Sequence, residues 1–158
     1  MKKTIFYLSF IFLSAFQCET TDDEVCCLHP TQITFKTGTN FGFCAGYCFR
    51  ELTIHQDLVT TFKKESRYPG PEEYPDVEIE SSISQAKYDK LVQALNQSGF
   101  FSLKDTLSDC LDCADQGAEW VEIEQAGEVK KVVFDAGDNI KEIELLLNEL
   151  RALRETYE

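Results

Sequence analysis

The sequence predicts an α+β domain in which an antiparallel sheet built from hairpins carries two helices on one face. Three observations lead there. Apolar residues alternate with period two at Ile33 and Phe35, Leu52 and Ile54, Val121 and Ile123, and Val132 and Phe134, the spacing of strands with one buried face. Two other stretches repeat at helical spacing: Tyr88, Leu91, Val92 and Leu95, then Ile143, Leu146, Leu147, Leu150 and Leu153. Each gives a helix an apolar stripe. One-sided strands and one-striped helices bury each other by stacking in two layers.

The elements follow in chain order. Ile33 and Phe35 make a first strand that ends at the polar run Thr37-Gly38-Thr39-Asn40. A glycine-bearing turn from Phe41 to Cys48 opens a hairpin, with Leu52 and Ile54 on one face of its first strand and Leu58 and Phe62 on one face of its second. Gln56-Asp57 is its tip. Pro69, Pro71 and Pro75 make the segment from Ser66 to Pro75 a loop, because proline removes ladder donors. A short strand, Val77 to Glu80, comes next. Ser84 caps a helix that Gly99 stops, and Phe100, Phe101 and Leu103 anchor the chain in the core. Val121 and Ile123 then pair with Val132 and Phe134 across the turn from Gln125 to Glu128. Asp138 or Asn139 caps the final helix. This order allows two related strand-strand-helix units.

Ahead of the domain, Lys2 and Lys3 precede an apolar stretch from Ile5 to Phe16. That is the build of a signal peptide and is too short for a spanning helix of ~20 residues. Residues 1–17 are read as the signal peptide, 18–30 as an acidic tether, and 31–158 as a single α+β domain, which suits a chain of 158 residues. The stretch Leu13-Ser14-Ala15-Phe16-Gln17-Cys18 resembles the lipobox of bacterial lipoproteins. That resemblance implies lipidation of Cys18 and residence in the envelope of a Gram-negative bacterium, as an outer-membrane lipoprotein. The membrane partner is then reached through the lipid, since a formal net charge of −13 repels anionic headgroups. The same charge excludes a nucleic-acid binder, whose phosphate contacts need Lys and Arg.

Seven cysteines carry the most pointed chemistry. With Cys18 lipidated, six remain, an even number that reads as disulfides in an oxidising compartment. Cys44 and Cys48 form one close pair, Cys110 and Cys113 another, and Cys26 and Cys27 are adjacent. Three readings of the two spaced pairs stay open. They can be local structural disulfides, or four thiolates for one zinc ion if the two turns converge. Cys110-x-x-Cys113 also has the spacing of a redox pair, although Asp109, Asp112 and Asp115 around it raise a thiol pKa and suppress the thiolate. The run Gly42-Phe43-Cys44-Ala45-Gly46-Tyr47-Cys48, followed by a hairpin, a helix ending in Gly-Phe-Phe, a second hairpin and a last helix, resembles a family of exported bacterial domains of unknown function with a Gly-x-Cys-x-Gly-x-Cys turn. Phe49 stands where that family often has proline. The resemblance implies a fold over roughly Thr31 to Tyr157 and no catalytic residues.

Other residues give weaker signals. Asp105, Asp109, Asp112, Asp115 and Glu119 could be read as a calcium site but lack EF-hand spacing, which leaves a solvated acidic loop. His29 and His55 cannot make a histidine-rich metal site, and no G-x-S-x-G elbow accompanies them. Glu122 and Glu124 project to one side of a strand with Trp120, an ordinary solvent-face pattern rather than a glycosidase pair. No cofactor is implied. The sequence therefore points to binding or structural support, with an envelope or extracellular protein as partner. The alternatives are metal or thiol-redox chemistry at the cysteine pairs, or inhibition of an exported hydrolase.

Overall fold

The structure, a computed structural model, describes residues 32–108 and 116–158. The signal segment, Cys18, the tether with Cys26 and Cys27, and the Cys110/Cys113 pair with Asp109, Asp112 and Asp115 lie outside the described residues. The elements are β1 (Ile33–Asn40), β2 (Gly46–Ile54), β3 (Val59–Tyr68), β4 (Val77–Ser82), α1 (Gln85–Asn96), β5 (Ala118–Gln125), β6 (Glu128–Asp135) and α2 (Glu144–Glu155). The six strands form one sheet in the order β4-β3-β2-β1-β5-β6, and every neighbouring pair is antiparallel.

Period-two alternation sorts the side chains cleanly. Ile33, Phe35, Leu52, Ile54, Phe62, Val121, Ile123, Val132 and Phe134 share one core with Leu91 and Leu95 of α1 and Leu146, Leu147 and Leu150 of α2. Both helices therefore cover the same face of the sheet. The register places Phe35 between Ile54 and Ile123, and Thr37 between Leu52 and Val121. The opposite face is polar, with Lys36 and Lys131 on Glu122 at 3.4 and 3.8 Å and Lys63 on Glu78 at 3.3 Å. Such pairs keep the face solvated and add little stability.

Several expectations are corrected by this register. The halves are not two equal strand-strand-helix units, because four strands precede α1 and only two lie between α1 and α2, with β1 holding the halves together between β2 and β5. Leu58 belongs to the turn, not to a strand face, and takes a φ of 70° there. β3 extends to Tyr68, into the expected loop, and β4 runs on to Ser82. Val121 opposes Val132 as expected, whereas Ile123 faces Lys130 and Phe134 faces Glu119. Phe100 is buried, but its neighbour Phe101 is 50% exposed.

The helix ends follow capping chemistry in one case only. The Ser84 hydroxyl accepts the Lys87 N–H at 3.3 Å, the cap that its side chain predicts. Neither Asp138 nor Asn139 caps α2, because a 3₁₀ turn over Lys141–Ile143 intervenes and the helix starts without a side-chain cap. Asn139 instead donates to Glu144 Oε1 at 3.1 Å. The β5–β6 hairpin closes with Ala126 and Gly127 both at positive φ, 54° and 82°, the twist that a two-residue hairpin requires.

Candidate functional site

Strand direction brings the chemistry-bearing loops to one end of the sheet. β1, β3 and β6 finish there, and β2, β4 and β5 begin there. The β1–β2 loop carries the cysteine turn, in which Cys44 and Cys48 are joined by a disulfide with Cα atoms 5.7 Å apart. Phe41 N–H donates to Cys48 O at 3.0 Å, so the loop is tied down on both sides of the bond. Gly46 makes the turn at a φ of 82°, a conformation that costs glycine little and other residues more. With both sulfurs in one bond, Cys44 and Cys48 offer no thiolates to zinc. Among the described residues no group of three or more His, Cys, Asp or Glu is placed to hold a metal.

Pairing between β2 and β3 is irregular at Gly46 and Tyr47, as a β-bulge makes it. Tyr47 reaches the neighbouring loop, where its hydroxyl donates to Pro75 O at 3.0 Å and its ring meets Tyr74 edge-on at 5.8 Å. Lys64 Nζ lies 4.5 Å from the Tyr47 ring centroid, within reach of its negative face. Ser66 Oγ donates to Tyr74 O at 2.9 Å, and the Tyr68-Pro69 bond is cis. These ties hold three large aromatics out to solvent: Phe43 is 82% exposed, Tyr68 73% and Tyr74 37%. Large aromatics left exposed at one end of a sheet are a mark of interaction surfaces.

Beneath this end, on the polar face, Trp120 is only 6% exposed. Its ring lies 5.6 Å from Phe49, and Lys131 Nζ is 4.8 Å from its centroid. It is packed rather than free as a contact point. Gly38 makes room for it, since a Cβ there would overlap both the Trp120 ring and the Arg50 carbonyl oxygen. The carbonyl is backbone and cannot swing aside. Gly38→Ala should therefore cost about 1–3 kcal/mol, the range for an overpacked site, and Trp120→Leu should recover only part of it. A urea double-mutant cycle measures both values.

The helix face of the same end holds a buried ion cluster. Glu119, 1% exposed, accepts Arg151 Nε at 3.0 Å and Arg154 Nη2 at 2.9 Å, and also receives Gly137 N–H at 3.3 Å. Arg154 Nη1 donates to Thr37 Oγ1 at 3.2 Å, and Arg151 Nη2 to Asp138 O at 2.8 Å. Burial alone would push the Glu119 carboxyl up, but the Arg151 hydrogen bonds and the Arg154 charge outweigh it and hold the group below the usual glutamate range. Tyr88 is pushed up by burial, against its hydrogen bond to Ile33 O.

These placements dispose of the calcium reading for two of its five acids. Glu119 is inside the protein on two arginines, and Asp105 pairs with Lys130 at 3.1 Å. Glu122 and Glu124 do share a face, and Glu122 is engaged by lysines. Tyr68 and Tyr74 belong to no apolar period in the sequence. Their signal was the prolines at 69, 71 and 75, which expose whatever aromatics they flank.

No curated protein matches the chain. A family model described as a domain of unknown function, DUF6438, matches residues 31–154, from just before β1 to the last turn of α2. The cysteine turn, all six strands, α1 and all but the last residue of α2 thus lie inside the match, and the chain belongs to the DUF6438 family.

Proposed function

We propose that the protein is an exported, lipid-anchored envelope domain that works by binding another protein through the disulfide-pinned aromatic end of its sheet. The observation that carries this reading is the exposure of Phe43 and Tyr74 on loops and of Tyr68 at the end of β3, at the end of the sheet that the Cys44–Cys48 bond and the Tyr47 and Ser66 hydroxyls tie down. Rigid aromatics give contact area at little entropic cost, because they were ordered before binding. Cys18 is the anchoring residue of this reading. The apolar leader before it and the acidic run after it support export of the mature domain. No reaction is assigned.

Two arms test it in the native host. Cys18→Ala should move the protein out of the membrane fraction and abolish fatty-acid labelling. A photo-reactive phenylalanine analogue at position 43 should give one discrete protein adduct, and the same group at position 56, in the turn at the opposite end, should give none. Equal adducts from both positions, or none from position 43, would remove the aromatic end as the binding surface.

A further inference from the structure

β4 is the terminal strand of the sheet, and its outer edge has no backbone partner among the described residues. The other terminal strand is partly covered: Leu107 N–H donates to Val133 O and Val133 N–H to Asp105 O, both at 2.9 Å. Hydrogen-bond alternation fixes which groups of β4 look outward. His55 N–H bonds Val59 O, and Ile83 N–H bonds Leu58 O. In antiparallel pairing the inward positions of β4 are then Val77, Ile79 and Ser81, opposite Lys64, Phe62 and Thr60. Glu78, Glu80 and Ser82 turn their N–H and C=O groups to solvent.

The side chains give this edge a polarity. On the helix side, Ile79 is half-buried against the core and Val77 is half-buried beside it. On the open face, Glu78 meets Lys63 at 3.3 Å while remaining largely exposed, and Glu80 lies opposite Thr61. A second copy of β4 added antiparallel would bring Glu78 or Glu80 opposite another glutamate whenever both overlap, because residues of equal parity face each other. Like charges directly opposite destabilise a ladder. The edge therefore rejects its own kind, which is how natural sheets avoid aggregation. It does not reject a strand that presents cations at those positions.

We propose that the outer edge of β4 takes an extended peptide segment of a partner protein as a seventh strand, with Lys or Arg facing Glu78 and Glu80 and apolar side chains lying beside Val77 and Ile79. Main-chain bonds to Glu78, Glu80 and Ser82 supply the pairing, and the alternation of charge and apolar surface supplies the selection. The edge begins beside the aromatic end at Val77 but pairs through backbone groups of β4, so it does not depend on Phe43 or Tyr68.

The test uses the full chain and three labelled, end-blocked hexapeptides read by fluorescence anisotropy. Lys-Val-Lys-Val-Lys-Val should bind saturably and at least tenfold tighter than its isomer Lys-Lys-Lys-Val-Val-Val or the reversed Glu-Val-Glu-Val-Glu-Val. Glu80→Pro removes an outward N–H without touching the ladder to β3 and should weaken binding at least tenfold at unchanged Tm. Glu78→Lys/Glu80→Lys should reverse the preference, which decides the matter even if the proline variant does not fold. Hydrogen exchange should slow at Glu78, Glu80 and Ser82 on addition of the alternating peptide. Phe43→Ser/Tyr68→Ser should leave that binding intact. Equal affinity for the two lysine isomers, binding indifferent to Glu80→Pro in a folded protein, or protection confined to other strands would overturn the proposal and reduce the effect to attraction toward an acidic chain.

Discussion

Glu119→Gln should destabilise the protein by about 3–5 kcal/mol, the cost of breaking a buried ion cluster by removing one partner. One carboxylate serves two guanidiniums, and Arg154 Nε has no hydrogen-bond partner among the described residues. Removing the glutamate leaves the buried Arg154 and the half-buried Arg151 without their shared counter-charge. Removing Arg154, by Arg154→Met, leaves a balanced Glu119–Arg151 pair and should cost clearly less. A loss of 3–5 kcal/mol is a large part of the ~5–15 kcal/mol that a domain of this kind has, so urea midpoints separate the two variants easily. Equal costs would mean that packing, not charge balance, governs the site.

The same carboxylate gives the protein an acid limit. Its folded pKa lies below that of an unfolded glutamate, about 4.3. A depressed carboxylate contributes fully above the unfolded value and loses its contribution as the pH falls through the folded one. Stability should therefore fall steeply below about pH 4, and Glu119→Gln should flatten that slope. Urea titrations between pH 6 and pH 2.5 compare the two slopes directly.

Leu147→Ala should cost about 2–5 kcal/mol, and Leu145→Ala, two residues earlier on the same helix, less than about 0.5 kcal/mol. Leu147 is fully buried between α2 and the sheet, whereas Leu145 is 52% exposed. The pair separates burial from helix propensity, because both substitutions replace leucine with alanine inside one helix. Similar losses at the two positions would contradict the face that α2 turns to the sheet.

Much of this fold is legible in the sequence, since the periods of 2 and 3.6 survive in single residues. Ile33, Phe35, Leu52, Ile54, Val121 and Ile123 alternate because one face of the sheet is dry. Leu91 and Leu95, and Leu147 and Leu150, repeat because each helix rests on that face. Strand order is less legible. Nothing local says that β1 pairs with β5, since that choice depends on which strands are left with an open edge once the first four have formed. The ion cluster has a sequence signal of its own. Glu119 has the parity of Val121 and Ile123, and Arg154 continues the stripe of Leu147 and Leu150. A charge on the apolar face of a strand and an opposite charge on the apolar face of a helix ask for each other. The aromatic end is hidden for the opposite reason, because Phe43 and Tyr74 sit on loops and Tyr68 at the last position of β3, where periodicity no longer decides which aromatics face water.

The central position of β1 also bears on the order in which the molecule assembles. Pairing Phe35 with Ile54 closes a short loop, whereas pairing it with Ile123 closes one about two doublings longer, at about 1 kcal/mol more in chain entropy. The meander from β1 to β4 with α1 can thus form as an early platform, and β5, β6 and α2 dock on it later. Glu119, Arg151 and Arg154 all belong to the late-docking piece and reach the platform through the Arg154 hydrogen bond to Thr37. That bond is a stitch across the seam between two folding units.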